Sequence, residues 1–110
     1  MQSINSAVRT ISKEELAKKI EKSEPIQIIN VLDPKYYNLG FIKGSKKIPL
    51  DRLNNRLGEI DKSKEVVTYG ASYDCTASHV SAEILAAQGY LVSIYKGGIK
   101  EWRMSGLPID

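Results

Sequence analysis

The chain has very little of the residues that build most metal and disulfide sites. Its 110 residues include one cysteine, Cys75, and one histidine, His79. A single cysteine excludes an internal disulfide framework and a cysteine-based metal site, and a single histidine excludes a site made of several histidines. We therefore expect no metal and no other cofactor.

Long apolar runs are missing as well. No run is long enough to cross a bilayer, and residues 1–10 lack the apolar core of a signal peptide. We therefore expect a cytoplasmic protein that does not enter a membrane. The net charge is only +3, and the lysines alternate with acidic residues rather than with exposed aromatics. This pattern does not favour nucleic-acid binding.

What is present is typical of one globular domain, with 42% hydrophobic and 26% charged residues. Short apolar runs predict strands over 26–32, 47–50, 65–69 and 91–95. The runs over 26–32 and 65–69 are apolar enough to be buried on both faces of a parallel sheet. Alternation of strands with helical patterns predicts an α/β fold, with a small, mostly parallel sheet covered by helices on both faces.

The helical segments have recognisable signals. Ser12 and Glu15 form the pattern of a capping box, which predicts that the first helix begins there. A second helix is expected over 77–88, with Val80, Ile84 and Leu85 as its buried stripe and Gly89 closing it. Residues 1–10 are expected to be a loose or edge segment, and 11–110 a single domain. Local expectations are a helical turn over 35–39, helical spacing at Leu53, Leu57 and Ile60, and a turn at Gly97-Gly98. A short helix is expected over 99–104, with Trp102 buried.

The loop after the strand at 65–69 holds the only cysteine and leads into a helix. In a parallel α/β sheet, ligands bind beyond the carboxyl ends of the strands, and a helix N-terminus favours an anion or a thiolate. Cys75 is therefore the candidate sulfur nucleophile. The other candidate site residues are Gly70, Ala71, Ser72, Tyr73, Asp74, Thr76, Ala77 and Ser78.

Individual loop residues carry more modest expectations. The hydroxyls of Ser72, Thr76 and Ser78 are expected to cap the helix, although they could also bind an anion. Tyr73 would gate the pocket or pack on a partner. Asp74 would repel an anionic ligand if its side chain pointed inward. His79 is expected to be a partly exposed helix residue rather than a catalytic base.

The ordered set of motifs resembles the rhodanese-like family. The motifs are the 28–32 and 66–69 strands, Gly40-Phe41-Ile42-Lys43-Gly44-Ser45, Ile48-Pro49-Leu50, the 70–78 loop, Gly89-Tyr90, Tyr95-Lys96-Gly97-Gly98-Ile99, Trp102 and Gly106-Leu107-Pro108. The resemblance implies a three-layer domain that moves a sulfane sulfur. A cysteine after the central strand would take sulfur from thiosulfate or a persulfide, hold it as a persulfide and pass it to a thiol.

The chain departs from this pattern at the nucleophile. Gly70 occupies the position directly after the strand, and an alignment made backward from the helix places Ser72 there instead. Gly70 is either a natural loss or a replacement of a cysteine. Phe41 stands where the family has histidine, and Asn30-Val31-Leu32 lacks the family's Asp and Arg.

Two interpretations of Cys75 remain open, a relocated sulfur acceptor and a small apolar residue under the loop. The corresponding functions are a sulfurtransferase and a non-catalytic module that binds a partner or a small anion. A phosphatase relative of the same fold would need an arginine to hold phosphate, and 70–82 contains none.

Overall fold

The computed structural model describes residues 8–73 and 75–110. Within these residues, five strands form one sheet: β1 (Val8–Thr10), β2 (Ile26–Asn30), β3 (Lys46–Lys47), β4 (Glu65–Tyr69) and β5 (Val92–Tyr95). The α-helices are α1 (Lys13–Glu21), α2 (Thr76–Ala87) and α3 (Gly98–Met104). Short 3₁₀ segments span Pro34–Leu39, Leu50–Asn55 and Leu57–Glu59.

The sheet has β4 at its centre, in the order β1-β5-β4-β2-β3, and every strand pair is parallel. Asn30 pairs with Tyr69, which in turn pairs with Tyr95. The carboxyl ends of β2, β4 and β5 therefore lie side by side at one edge of the sheet. The α/β fold with a mostly parallel sheet is confirmed.

Helices cover both faces of the sheet because neighbouring residues of each strand point in opposite directions. Ile28 and Val67 belong to the core shared with α1 and α3, which contribute Leu16, Ile99 and Trp102. The adjacent residues, Ile29 and Val66, belong to the core shared with α2, which contributes Ala82 and Leu85. The expected three-layer arrangement and the burial of Trp102, only 1% exposed, are confirmed.

The start of α1 follows the sequence prediction. The Ser12 hydroxyl accepts from the backbone N–H of Glu15, and the Glu15 carboxylate accepts from the backbone N–H of Ser12, both at 3.1 Å. Residues 1–10 were expected to be either a loose segment or an edge segment. Val8–Thr10 forms the edge strand β1, which pairs with β5, and residues 1–7 lie outside the described residues. The division into 1–10 and 11–110 stays a prediction.

Two strands end earlier than the sequence indicates. The expected strand at 26–32 stops at Asn30, whose side-chain oxygen accepts from the Leu32 N–H at 2.9 Å and so turns the chain away from the ladder. The expected strand at 47–50 is only Lys46–Lys47. The N–H groups of Ile48 and Leu50 still donate to the Asn30 and Val31 carbonyls, at 3.0 and 3.2 Å, but a 3₁₀ segment already begins at Leu50.

The predicted buried stripe of α2 was wrong at Val80, which is 38% exposed. The face toward the sheet consists of Ser78, Ser81, Ala82 and Leu85. The two serines are accommodated because their polar groups are bonded locally: the Ser81 hydroxyl donates to the Ser78 carbonyl, which also accepts from the Thr68 hydroxyl. Small residues here let α2 lie close to the sheet.

The remaining expectations hold with small changes. The helical spacing at 53, 57 and 60 belongs to two consecutive 3₁₀ segments rather than to an α-helix, with Leu53 and Ile60 buried. The helical turn expected at 35–39 is the 3₁₀ segment that begins at Pro34. Gly89 closes α2 with φ +94°, a conformation that favours glycine. Among the described helices, none is long and apolar enough to span a bilayer.

Candidate active site at the carboxyl end of the central strand

The 70–75 loop leaves β4 and is attached to the N-terminal end of α3. The N–H groups of Ile99 and Lys100 donate to the carbonyls of Gly70 and Ala71 at 2.9 and 3.0 Å. Gly98 makes this approach possible, because a Cβ at that position would lie 2.6 Å from the Gly70 carbonyl oxygen and the Ala71 carbonyl carbon. Its φ of +69° also favours glycine. The expected turn at Gly97-Gly98 therefore shapes the base of the loop.

A buried hydroxyl fixes the strand end directly before the loop. The Tyr69 oxygen accepts from the Ile42 N–H at 3.0 Å and from the Asn30 amide at 3.3 Å, and it lies 2.9 Å from the Ser45 hydroxyl. Burial raises the pKa of Tyr69, so the phenol stays neutral. Sequence reasoning missed this group. A polar Asn30 in an otherwise apolar strand was the available signal, because a buried amide needs partners.

The thiol of Cys75 occupies the space that a side chain at residue 70 would fill. A Cβ built on Gly70 would overlap the Cys75 sulfur and would lie 2.7 Å from the Cys75 Cβ. The backbone of Gly70 does not have a left-handed φ, so space, and not conformation, is what requires glycine there. Cys75 is half-buried and packs on the core that contains Leu32.

The expected capping by Ser72, Thr76 and Ser78 was wrong. Cys75 itself is the N-cap residue of α2, and it makes no capping bond through its side chain. The Ser78 hydroxyl donates back to the Cys75 carbonyl at 3.0 Å, and the Cys75 N–H donates to the Ser72 carbonyl at 3.1 Å. Cys75 therefore stands at the N-terminal end of α2, which is the positive end of the helix dipole.

A cleft of about 640 Å³ opens beside the thiol. It lies beyond the carboxyl ends of β2 and β4, which is where an open parallel sheet binds ligands. The residues that line it are Val31, Leu32, Asp33, Tyr36, Pro49, Leu50, Asp51, Ala71, Ser72, Cys75 and Ala77. The structure thus brings the predicted loop residues Ala71, Ser72, Cys75 and Ala77 together around one cavity.

On the opposite side, a carboxylate connects the loop to α3. Glu101 accepts from the Tyr95 hydroxyl at 2.6 Å and from the Tyr73 hydroxyl at 3.3 Å. Burial, together with this carboxylate, raises the pKa of Tyr95. Tyr73 is 62% exposed, so its aromatic ring lies at the surface while its hydroxyl is tethered. Sequence reasoning missed Glu101, because nothing local marks a contact 28 residues away.

Two further candidates, His79 and Thr76, are not among the residues that line the cleft. His79 is partly buried in α2, as expected, and Thr76 is exposed in its first turn. The Phe41 ring packs edge-on against Tyr37 and beneath the Lys47 ammonium. Asp74, expected to repel an anion, lies outside the described residues. Within the described ranges, no group of three or more His, Cys, Asp or Glu residues could hold a metal ion.

The chain is similar in sequence to known proteins and in structure to a solved domain. A "Sulfurtransferase" from Allochromatium vinosum is 30% identical over 103 residues, covering 93% of this chain and 94% of that protein. An "HTH-type transcriptional regulator" from Mycobacterium tuberculosis is 29% identical over 107 residues, and this chain spans about half, 47%, of its length. The crystal structure of a rhodanese-like domain protein from Staphylococcus aureus has a TM-score of 0.80 at 28% identity, covering 93% of this chain and 98% of that one.

The family model described as rhodanese-like domain matches residues 12–105. This match spans α1 to α3 and includes the thiol, the loop and the cleft described above. The chain therefore belongs to the rhodanese-like domain family.

Proposed function

We propose that the protein transfers sulfane sulfur and that Cys75 is the acceptor. The observation that carries the proposal is the overlap between the Cys75 sulfur and a side chain built on Gly70. A cysteine at residue 70 would have its Cβ where the Cys75 sulfur now lies, so side chains at the two positions reach the same part of the loop. The loss of the family nucleophile at Gly70 is then compensated five residues later, on the opposite side of the same loop.

The chemistry follows from a thiolate at this point. The Cys75 thiolate attacks the outer sulfur of thiosulfate, a bond forms between the two sulfurs, and sulfite leaves with the electrons of the broken S–S bond. The product is an anionic persulfide on Cys75, which the helix N-terminus stabilises. A thiol acceptor attacks the outer sulfur and releases the Cys75 thiolate.

The chain offers a direct test by intact-protein mass spectrometry. The purified protein is incubated with thiosulfate or with a small persulfide, separated from the donor and weighed. We expect a gain of about 32 Da, reversed by a reducing thiol. Because Cys75 is the only cysteine, the added sulfur has one thiol to attach to, and Cys75→Ser is the matched control. Absence of the gain with every donor refutes the proposal.

A second variant tests whether the pocket is functional independently of whether Cys75 is the acceptor. Gly70→Cys/Cys75→Gly moves the thiol to the position that the family resemblance implies and removes the side chain that it would overlap. We expect both the natural chain and this swapped chain to gain sulfur. If only the swapped chain does, the pocket is functional but Cys75 is not its acceptor. The single change Gly70→Cys is a poorer test, because the two side chains would collide.

The alternative is a non-catalytic rhodanese-like module that binds a partner or a small anion through the same loop. It is favoured by the exposure of two aromatic rings near the loop, Tyr36 at 43% and Tyr73 at 62%. Under this alternative, neither the natural chain nor the swapped chain gains sulfur. The cytoplasmic location also stays a prediction, which cell fractionation would test.

A further inference from the structure

The cleft beside Cys75 is larger and more apolar than an inorganic donor requires. Its walls are built mainly of aliphatic side chains and the Tyr36 ring: Val31, Leu32, Pro49, Leu50, Ala71, Ala77. Thiosulfate is a doubly charged anion of five atoms, which leaves most of about 640 Å³ unfilled and gains nothing from apolar walls. An organic group attached to the transferred sulfur would cover that apolar surface.

The charges of the cleft point in the same direction. Among the described lining residues, the charged side chains are Asp33 and Asp51, both exposed at the rim. Both carboxylates and the Arg56 guanidinium act on the nearby Tyr37: burial raises the pKa of its hydroxyl, the Arg56 charge lowers it, and the two carboxylates raise it.

Two basic groups near this rim, on Arg56 and Lys35, are partly committed elsewhere. The Arg56 guanidinium makes two bonds to the Glu59 carboxylate, at 2.8 and 2.9 Å. The Lys35 ammonium lies over the Tyr36 ring, 5.3 Å from its centre, and its backbone N–H donates to the Asp33 carboxylate. Neither residue is part of the lining of the cleft. A ligand inside it therefore meets carboxylates before it meets a cation.

We propose that the donor for which this cleft is shaped is a small organic persulfide whose organic group is neutral or positively charged, rather than thiosulfate or an anionic persulfide. The inference rests on the proposed function of Cys75. The step is balanced without another reactant. The Cys75 thiolate attacks the terminal sulfur of R–S–SH, the new S–S bond forms as the old one breaks, and R–S⁻ leaves. Cys75 then carries the S–SH group.

The test compares donors that differ in charge, and each rate is divided by the rate of the same donor with free cysteine to remove the effect of the leaving thiol's pKa. Persulfides of 2-aminoethanethiol, 2-mercaptoethanol and 3-mercaptopropionate carry one positive, no and one negative charge on similar short chains. Single-turnover rates of sulfur gain on Cys75 are measured by quenched-flow mass spectrometry. At low ionic strength we expect the aminoethyl donor to react about tenfold faster than the carboxyethyl donor, with thiosulfate slower than both. The difference should narrow as salt is added.

The variant Asp33→Asn/Asp51→Asn assigns the charge effect to the cleft. We expect it to bring the aminoethyl and carboxyethyl rates within about threefold of each other. Glu83→Gln/Asp61→Asn removes the same number of charges from exposed positions outside the cleft and should leave the preference unchanged. The rate of the 2-phenylethyl persulfide tests the apolar walls, and it should exceed that of the hydroxyethyl donor.

The outcomes distinguish an error in the donor class from an error in the proposed sulfur transfer by Cys75. If every donor loads Cys75 and thiosulfate or the carboxyethyl donor is fastest, sulfur transfer stands and the donor class is wrong. If the carboxyethyl donor is slower but the preference survives loss of both cleft carboxylates, the assignment of the charge effect to Asp33 and Asp51 is wrong. If no donor loads Cys75, the proposed function fails and the donor class fails with it.

Discussion

Replacing Gly70 with alanine should destabilise the protein through one specific neighbour. The added Cβ would overlap the sulfur of Cys75 and lie 2.7 Å from its Cβ, while Leu32 is at an ordinary 3.6 Å. The backbone of Gly70 is compatible with alanine, because its φ is not left-handed. The cost therefore comes from displacing the Cys75 side chain. Overpacking of this kind costs about 1–3 kcal/mol.

A double-mutant cycle isolates that contact. In the Cys75→Gly background the obstructing sulfur and Cβ are both gone, so the same Gly70→Ala change should cost little. The difference between the two backgrounds is the coupling energy, expected at about 1 kcal/mol or more. Chemical denaturation gives the four free energies of unfolding, and thermal melts should show a difference of about 4 °C for each kcal/mol.

Two other glycines serve as controls. Gly58 has open space around its Cα, so Gly58→Ala should change stability by less than about 1 kcal/mol. Gly98→Ala should be destabilising in both backgrounds, because a Cβ there meets the Gly70 and Ala71 backbone and the φ is +69°. An equal cost of Gly70→Ala with cysteine and with glycine at residue 75 would refute the placement of the thiol.

Further predictions concern the groups around the loop and helix α1. Tyr69→Phe removes the oxygen that accepts from Ile42 and Asn30, so it should cost about 1–3 kcal/mol in urea denaturation; a cost under about 0.5 kcal/mol would contradict the buried network. The bond from the Ser12 N–H lowers the pKa of Glu15 below its ordinary 4.5. This stabilisation is complete above that value and disappears as pH falls through the lower folded pKa. The stability difference between the natural chain and Glu15→Gln should therefore shrink on acidification, and a constant difference would contradict the capping box.

Local signals in the sequence predicted much of the fold. The bounds of β4 at 65–69, the capping box at Ser12 and the closing Gly89 each depend on residues within a few positions of one another. Trp102 was predicted to be buried because a large aromatic ring next to a sheet packs against it. Helices on both faces were predicted from the alternation of strands and helices, and the family from the resemblance of the ordered motifs.

The sequence did not reveal contacts between distant segments. Val80 was placed on the buried face by hydrophobicity, yet α2 packs through serines whose polar groups are satisfied by Thr68 and by the helix itself. The partners of the Tyr69 hydroxyl lie 24 to 39 residues before it in the chain. The bond between Tyr73 and Glu101 joins residues 28 positions apart. No local pattern encodes either set of contacts. The overlap between residues 70 and 75 depends on how the loop folds back, so the sequence left the role of Cys75 open.

The attachment of the loop to α3 has a consequence for how the site is made in the cell. The two amides that hold the Gly70 and Ala71 carbonyls belong to Ile99 and Lys100, which the ribosome adds about thirty residues after the loop. Until that helix emerges, the nascent chain has the cysteine but lacks the two bonds that hold the Gly70 and Ala71 carbonyls. If Cys75 accepts sulfur as proposed, its full reactivity should be acquired late in synthesis, after α3 has emerged.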